Sequence, residues 1–140
     1  MELKDLASIS GKPGLFRIIK PARASVIVET LDEKKKKMVV SANQRISVLD
    51  EISIYTNTTE GSTPLIEVLQ KIHEEYGTEM IIENDATQNE YLAFFKTVLP
   101  DFDQDKVYPS DIKKIVRWYE ILLNEAPQLI TGSTDSQEEE

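Results

Sequence analysis

Val107–Leu123 reads VYPSDIKKIVRWYEILL, and the interpretation of this stretch decides the kind of fold the chain makes. Ser110 is expected to cap a helix, because its hydroxyl can accept a bond from an otherwise unpaired amide of the first turn. Asp111 follows as a favourable charge beside the positive end of the helix dipole. Ile112, Ile115, Val116, Tyr119, Leu122 and Leu123 recur at helical spacing and form one apolar face. Lys113, Lys114 and Arg117 fall on the opposite face, with the single tryptophan, Trp118, at its flank and Ile121 pointing outward among the cations. A helix with an apolar residue on its outer side is expected to touch two things, its own bundle and either another part of the chain or a partner.

Two similar helices precede it. Thr63-Pro64 opens one, with Pro64 at a position where its missing amide costs nothing; Leu65, Val68, Leu69, Ile72 and Tyr76 share a face, and Gly77 ends it. Thr87-Gln88-Asn89-Glu90 is a capping box opening a second, with Tyr91, Phe94, Phe95 and Val98 on one face and Pro100 beyond its end. Met80-Ile81-Ile82 is a short apolar run of either type. Three helices with matching stripes predict a small bundle over residues 64–126.

Upstream the periodicity changes. Leu15–Lys20, Ser25–Thr30, Met38–Val40, Ile46–Leu49 and Ile52–Thr56 are short β-type runs separated by turn signals, and Leu3–Ile9 suits either a helical turn or a strand. Five strands in so short a segment predict a small SH3-like antiparallel barrel or sandwich over residues 1–57, partly closed to hide its edges. Asn57–Thr63 reads as a polar linker, and 127–140 as a disordered acidic tail.

Charge marks the same division. Residues 1–57 carry ten Lys/Arg against seven Asp/Glu, a net +3; residues 58–140 carry six against eighteen, a net −12; the whole chain is −9. No cysteine is present, which excludes disulfide, thiolate-metal and cysteine-nucleophile chemistry. The amino-terminal residues lack the pattern of a signal peptide, and no run approaches the ~20 apolar residues of a membrane span, so a cytoplasmic protein without membrane contact is expected.

The motifs that resemble chemical sites are incomplete. Asp101, Asp103 and Asp105 open a calcium-loop pattern, but Lys106 stands where the turn glycine belongs and Ile112 where the bidentate Glu belongs. Gly11-Lys12 is followed by Pro13 rather than Ser or Thr, which leaves a turn and not a phosphate loop. His73 is the only histidine and has no partner ligands at metal spacing. The Pro100–Pro109 loop is too long a connection for a helix-turn-helix. Asn57-Thr58-Thr59 fits a glycosylation acceptor but stands without a secretory signal. No residue is therefore assigned a catalytic, cofactor-binding or metal-binding role, and a non-enzymatic protein is expected.

The segments Leu3–Phe16 (LKDLASISGKPGLF), Val28–Leu31, Val48–Tyr55, Val98–Pro100 and Val107–Tyr119 resemble a bacterial family, the domain of unknown function 5606 with its helical companion domain. The resemblance spans nearly all of Leu3 to Leu123. It implies a barrel-like β domain followed by a helical one, and it brings no activity.

The expectation from sequence is thus an α+β protein, a small barrel followed by a three-helix bundle, acting as a protein-interaction module. Its contact residues are Trp118, Ile121, Lys113, Lys114 and Arg117, and its partner is an unidentified protein or peptide. The alternative is nucleic-acid binding through the barrel, by Lys34, Lys35, Lys36, Lys37 and Arg45. Oligomeric state is left open.

Overall fold

A computed structural model of the chain describes residues 2–41, 43–77 and 86–131. The fold is α+β: a five-stranded antiparallel sheet, a two-stranded ribbon and three helices. The expectations for Met80–Ile82 and for the chain after residue 131 lie outside the described residues.

The sheet contains β1 (Leu6–Ile9), β2 (Lys12–Ala22), β3 (Ser25–Thr30), β4 (Lys37–Ser41) and β5 (Ile46–Val48), in the order β4-β3-β2-β1-β5. The first four strands run as a meander, and β5 returns to pair with β1, aligning Ser8 with Ser47. Leu3–Asp5 forms a single 3₁₀ turn before β1, so Leu3–Ile9 supplies both a helical turn and a strand. The β1–β2 connection turns at Gly11, whose φ of +84° is strained for any residue with a Cβ.

Successive strand residues point to opposite faces, and here both faces are apolar near the middle of the sheet. Ile9, Phe16, Val28 and Val40 build a small core on one side. Leu6 and Leu15, on the other face, join Leu49 and the helices in the main core. Sheet and helices are therefore parts of one buried cluster.

The fifth strand expected from sequence, Ile52–Thr56, does not join the sheet. A 3₁₀ turn at Leu49–Glu51 redirects the chain, and β6 (Ser53–Tyr55) pairs with β7 (Ser62–Pro64). The segment read as a linker is mostly the turn of this hairpin: Thr56 N–H donates to Gly61 C=O at 3.0 Å, and the Thr56 and Thr58 hydroxyls lie 2.7 Å apart. Ile54 is buried among the helices, which draws the ribbon to that side of the molecule.

The helices are α1 (Leu65–Tyr76), α2 (Gln88–Val98) and α3 (Pro109–Glu125). The stripes expected from sequence are the buried ones: Leu65, Val68, Leu69 and Ile72 on α1; Tyr91, Phe94, Phe95 and Val98 on α2; Ile112, Ile115, Val116, Tyr119 and Leu122 on α3. The α2 capping box forms as expected, with Glu90 N–H donating to Thr87 Oγ1 at 3.2 Å and Thr87 N–H to Glu90 Oε1 at 2.7 Å. The α3 cap is Tyr108 rather than Ser110. Pro109 fits the first helical position, where no N–H is required, and the Asp111 carboxylate accepts Tyr108 N–H at 3.0 Å. Beyond α3, Pro127–Leu129 forms a 3₁₀ turn, and Ala126 and Ile130 are fully buried. The folded region thus runs past the expected end of the helical part, because Ile130 completes the core.

One polar lock joins α1 to α3 inside the protein. Tyr119 Oη donates to Gly77 C=O, and His73 Nδ1 lies 3.2 Å from Tyr119 Oη, so the Nδ1–H tautomer completes the pair. Gly77 holds a φ of +62° at the end of α1, which brings its carbonyl to the tyrosine. Tyr119→Phe is expected to destabilise the protein by about 1–3 kcal/mol, since it strands a carbonyl and an imidazole in a part-buried site. Burial pushes the Tyr119 hydroxyl above its ordinary value of 10.0. The unfolded chain therefore ionises first, and stability falls as pH rises above 10.0 through the folded value. Denaturant unfolding from neutral to alkaline pH checks both points, and the phenylalanine variant is expected to lose its part of that alkaline slope.

Candidate functional site: a basic cleft between the sheet and α3

α3 lies across one end of the sheet. Its C-terminal half crosses the start of β2 at Gly14, whose φ is +84°; a Cβ there would stand 3.8 Å from Ile121 Cδ1. Ile121 is half-buried against the main core and does not point outward as the helical wheel suggested. The second surface that α3 touches at this position is the chain's own sheet.

On the N-terminal side of that crossing, α3 and the sheet diverge and leave a cleft of ≈ 870 Å³. α3 contributes Lys113, Lys114, Arg117 and the half-buried Trp118. Lys12 at the start of β2, Arg45 just before β5 and Lys106 in the loop before α3 join them. The floor is hydroxylated: Ser8 and Ser47 are cross-strand neighbours there, with Ser10 beyond them. The edge of β6 forms the remaining side, with Tyr55 exposed and Lys106 Nζ 5.1 Å from the centre of its ring.

Six cations thus meet one carboxylate, Asp111, which already accepts the Tyr108 N–H. None of the six is within ion-pair distance of a described carboxylate; among the described residues the one ion pair is Lys4–Glu2. In a chain of net charge −9 this is a local reversal of sign. Flanked by apolar walls at Ile52, Ile54 and Ile115, it concentrates a positive field where an anion can enter.

The residues singled out from sequence divide accordingly. Lys113, Lys114, Arg117 and Trp118 come together in the cleft, and Ile121 does not. Arg45 joins them, although it was grouped with the lysine run. Lys34–Lys37 lie elsewhere, all exposed, with Lys34–Lys36 in the β3–β4 loop and Lys37 opening β4; Lys34 lines a shallow hollow of ≈ 320 Å³ with Ile121, Asn124 and Glu125 at the other end of α3. That loop is tied by Asp32, whose carboxylate accepts Lys34 N–H and Lys35 N–H at 3.0 Å and the Thr30 hydroxyl at 2.9 Å. The Thr30 and Lys35 bonds hold the Asp32 carboxyl below its ordinary range. The lysine run is a folded hairpin turn, and it does not meet Arg45 in the cleft.

Asp101, Asp103 and Asp105 do not converge, and among the described residues no cluster of metal-ligand side chains forms. Asp103 Oδ1 accepts Asp105 N–H at 2.9 Å, and the backbone of Asp101 and Asp103 bonds to Asn57 and Tyr55. Sequence reasoning missed Lys12, Lys106 and the serine floor. Lys12 was visible only as part of a turn, and nothing local signals that β1, β5 and α3 share a wall.

No helix of the described residues is long and apolar enough to cross a membrane. A solved structure by NMR of a protein from Bacteroides vulgatus, a structural-genomics target, is similar over 95% of this chain and 89% of its own, with 36% identity and a TM-score of 0.71. No match was found among curated proteins. Two family profiles match, the domain of unknown function DUF5606 over residues 3–49 and the domain of unknown function DUF6852 over residues 52–122. Their division, at the 3₁₀ turn after β5, places the β6–β7 ribbon with the helices, and the chain belongs to the family of the domain of unknown function DUF6852, with a DUF5606 domain ahead of it.

Proposed function

We propose that the protein is a non-enzymatic cytoplasmic interaction module that captures an acidic segment of another protein in the cleft between its sheet and α3. The observation that carries this reading is the convergence of six cations, none ion-paired to a described carboxylate, and of Trp118 on one cleft of an otherwise acidic chain. The reading is non-enzymatic because the cleft's one carboxylate is engaged in capping α3 and the single histidine is bonded to Tyr119 elsewhere. An added feature of the reading is that the sheet is a variant of the SH3-like barrel, since β5 returns beside β1 at the far edge of a four-strand meander, and that the helices form a three-helix bundle beside it.

A second reading, single-stranded nucleic acid, is favoured by one specific feature: Tyr55 and Trp118 line the same cleft as the cations. The acidic remainder of the surface favours the short acidic segment, because a long polyanion must also pass over residues of like charge. The test is fluorescence anisotropy of a labelled octapeptide of alternating Glu and Thr, set against a labelled oligothymidylate, between about 50 and 200 mM salt. The expected result is peptide binding that weakens as salt rises and exceeds binding of the oligonucleotide. Preference for the oligonucleotide would promote the second reading, and no salt-dependent binding of either probe would remove both.

A further inference from the structure

We infer that the acidic segment enters the cleft as an extra β-strand, pairing its backbone with the open edge of β6. The inference rests on the cleft reading and adds the mode of recognition. Ile52, Ser53, Ile54 and Tyr55 all line the cleft, and consecutive residues of a strand line a cavity together only when the strand turns its edge toward it. The hydrogen-bond register identifies which groups that edge presents. Leu65 N–H donates to Ile52 C=O and Thr56 N–H to Gly61 C=O, so residues 52, 54 and 56 face β7. Ser53 aligns with Pro64, which has no N–H to offer, in keeping with that register. The peptide groups of Ser53 and Tyr55 therefore point away from β7.

Part of this outer edge is already used, and the manner of its use supports the inference. Asp103 N–H donates to Tyr55 C=O at 2.9 Å and Asn57 N–H donates to Asp101 C=O at 2.8 Å, with Thr56 bridged to Phe102. Asp101–Asp103 thus lies along the far end of β6 through a single antiparallel bridge at Phe102, with an aspartate on either side. Beyond it, Ser53 N–H, Ser53 C=O and Tyr55 N–H have no protein partner among the described residues, and both residues are exposed. The edge is competent to pair, and it lines the same cleft as the cations.

An added strand projects every second side chain to the same side. The partner expected here carries Asp or Glu at i and i+2, the spacing of Asp101 and Asp103, so that one row of carboxylates meets the cleft's lysines and arginines while the backbone pairs with Ser53 and Tyr55.

Backbone methylation separates this mode from attraction by charge alone. The Glu–Thr octapeptide is compared with two versions N-methylated at alternate residues, one on the Glu amides and one on the Thr amides; each keeps the full charge. One version is expected to lose affinity by about tenfold or more, because its methyls occupy the pairing edge, while the other binds like the parent. Equal binding by all three would overturn strand addition and leave the cleft reading standing. Failure of the parent peptide to bind at low salt would overturn the cleft reading itself. Ser53→Pro gives an independent check: it removes one N–H from the open edge at constant charge, and Ile52, at φ −87° and ψ 133°, already has the extended backbone that must precede proline. It is expected to weaken the parent peptide about tenfold and to leave oligothymidylate binding unchanged. Unchanged peptide affinity in the folded variant would count against pairing at Ser53.

Discussion

Phe95→Ala is expected to lower stability by about 3–5 kcal/mol, the largest effect of any substitution argued here. Phe95 is fully buried and meets Phe102 edge-on at 5.0 Å between ring centres, which ties α2 to the loop that lies against β6. Truncation leaves a cavity bounded by several elements, so partial collapse recovers little. At roughly 3 °C per kcal/mol for a chain of this size, the midpoint should fall by about 10 °C. Leu6→Ala in β1 is the companion variant, expected to cost about 2–5 kcal/mol from the opposite half of the molecule. Because Leu6 and Phe95 belong to one buried cluster, each should lower a single unfolding transition, seen alike by helical circular dichroism and by Trp118 fluorescence. Two separate transitions, with Leu6→Ala moving only one, would mean that the sheet and helices fold as independent units.

The second large effect concerns binding. Replacing Lys113, Lys114 and Arg117 together by Ser should reduce affinity for the Glu–Thr octapeptide by about tenfold or more, taking roughly 0.5–1 kcal/mol for each exposed charge contact. All three side chains are exposed and none is ion-paired to a described carboxylate, so stability should change little. The same change at Lys34, Lys35 and Lys36 is the control. It removes equal charge from a loop outside the cleft and is expected to alter affinity by much less, the residual being long-range attraction that salt screens. Equal losses from the two triple variants, measured at about 150 mM salt, would mean that net charge rather than the cleft governs capture.

Much of the helical part was legible in sequence because its determinants are local. The Thr87/Glu90 capping box lies within one turn, and the stripe from Ile112 to Leu122 depends only on helical period. The β part was harder, because its strands are chosen by partners far away in sequence. Ile52–Thr56 reads as a strand and Leu3–Ile9 as either a helical turn or a strand; β1 gains two neighbours in the sheet, whereas Ser53–Tyr55 follows the 3₁₀ turn after Leu49 and pairs locally with Ser62–Pro64. Gly61, read as part of a linker, is the hairpin's turn residue, at φ +81°. The site was half legible. Lys113, Lys114, Arg117 and Trp118 share a helix surface and could be grouped by period, but joining them to Lys12, Arg45 and Lys106 requires the docking of α3 on Gly14. That contact also explains Ile121: a helical wheel marks it as outward because it considers one partner surface, and α3 has two.

Trp118 gives the central claim its most direct test, since the chain's single tryptophan lines the cleft. Its emission should be followed while the Glu–Thr octapeptide is added at low salt, together with amide chemical shifts from an isotopically labelled sample. The expected result is a saturable change in Trp118 emission, with shifts concentrated at Ser8, Ser10, Ser47, Lys113 and Arg117 and at the Ser53–Tyr55 edge. Saturable binding with an unchanged Trp118 signal, and shifts confined to the Lys34–Lys37 loop, would contradict the assignment of the cleft as the binding surface.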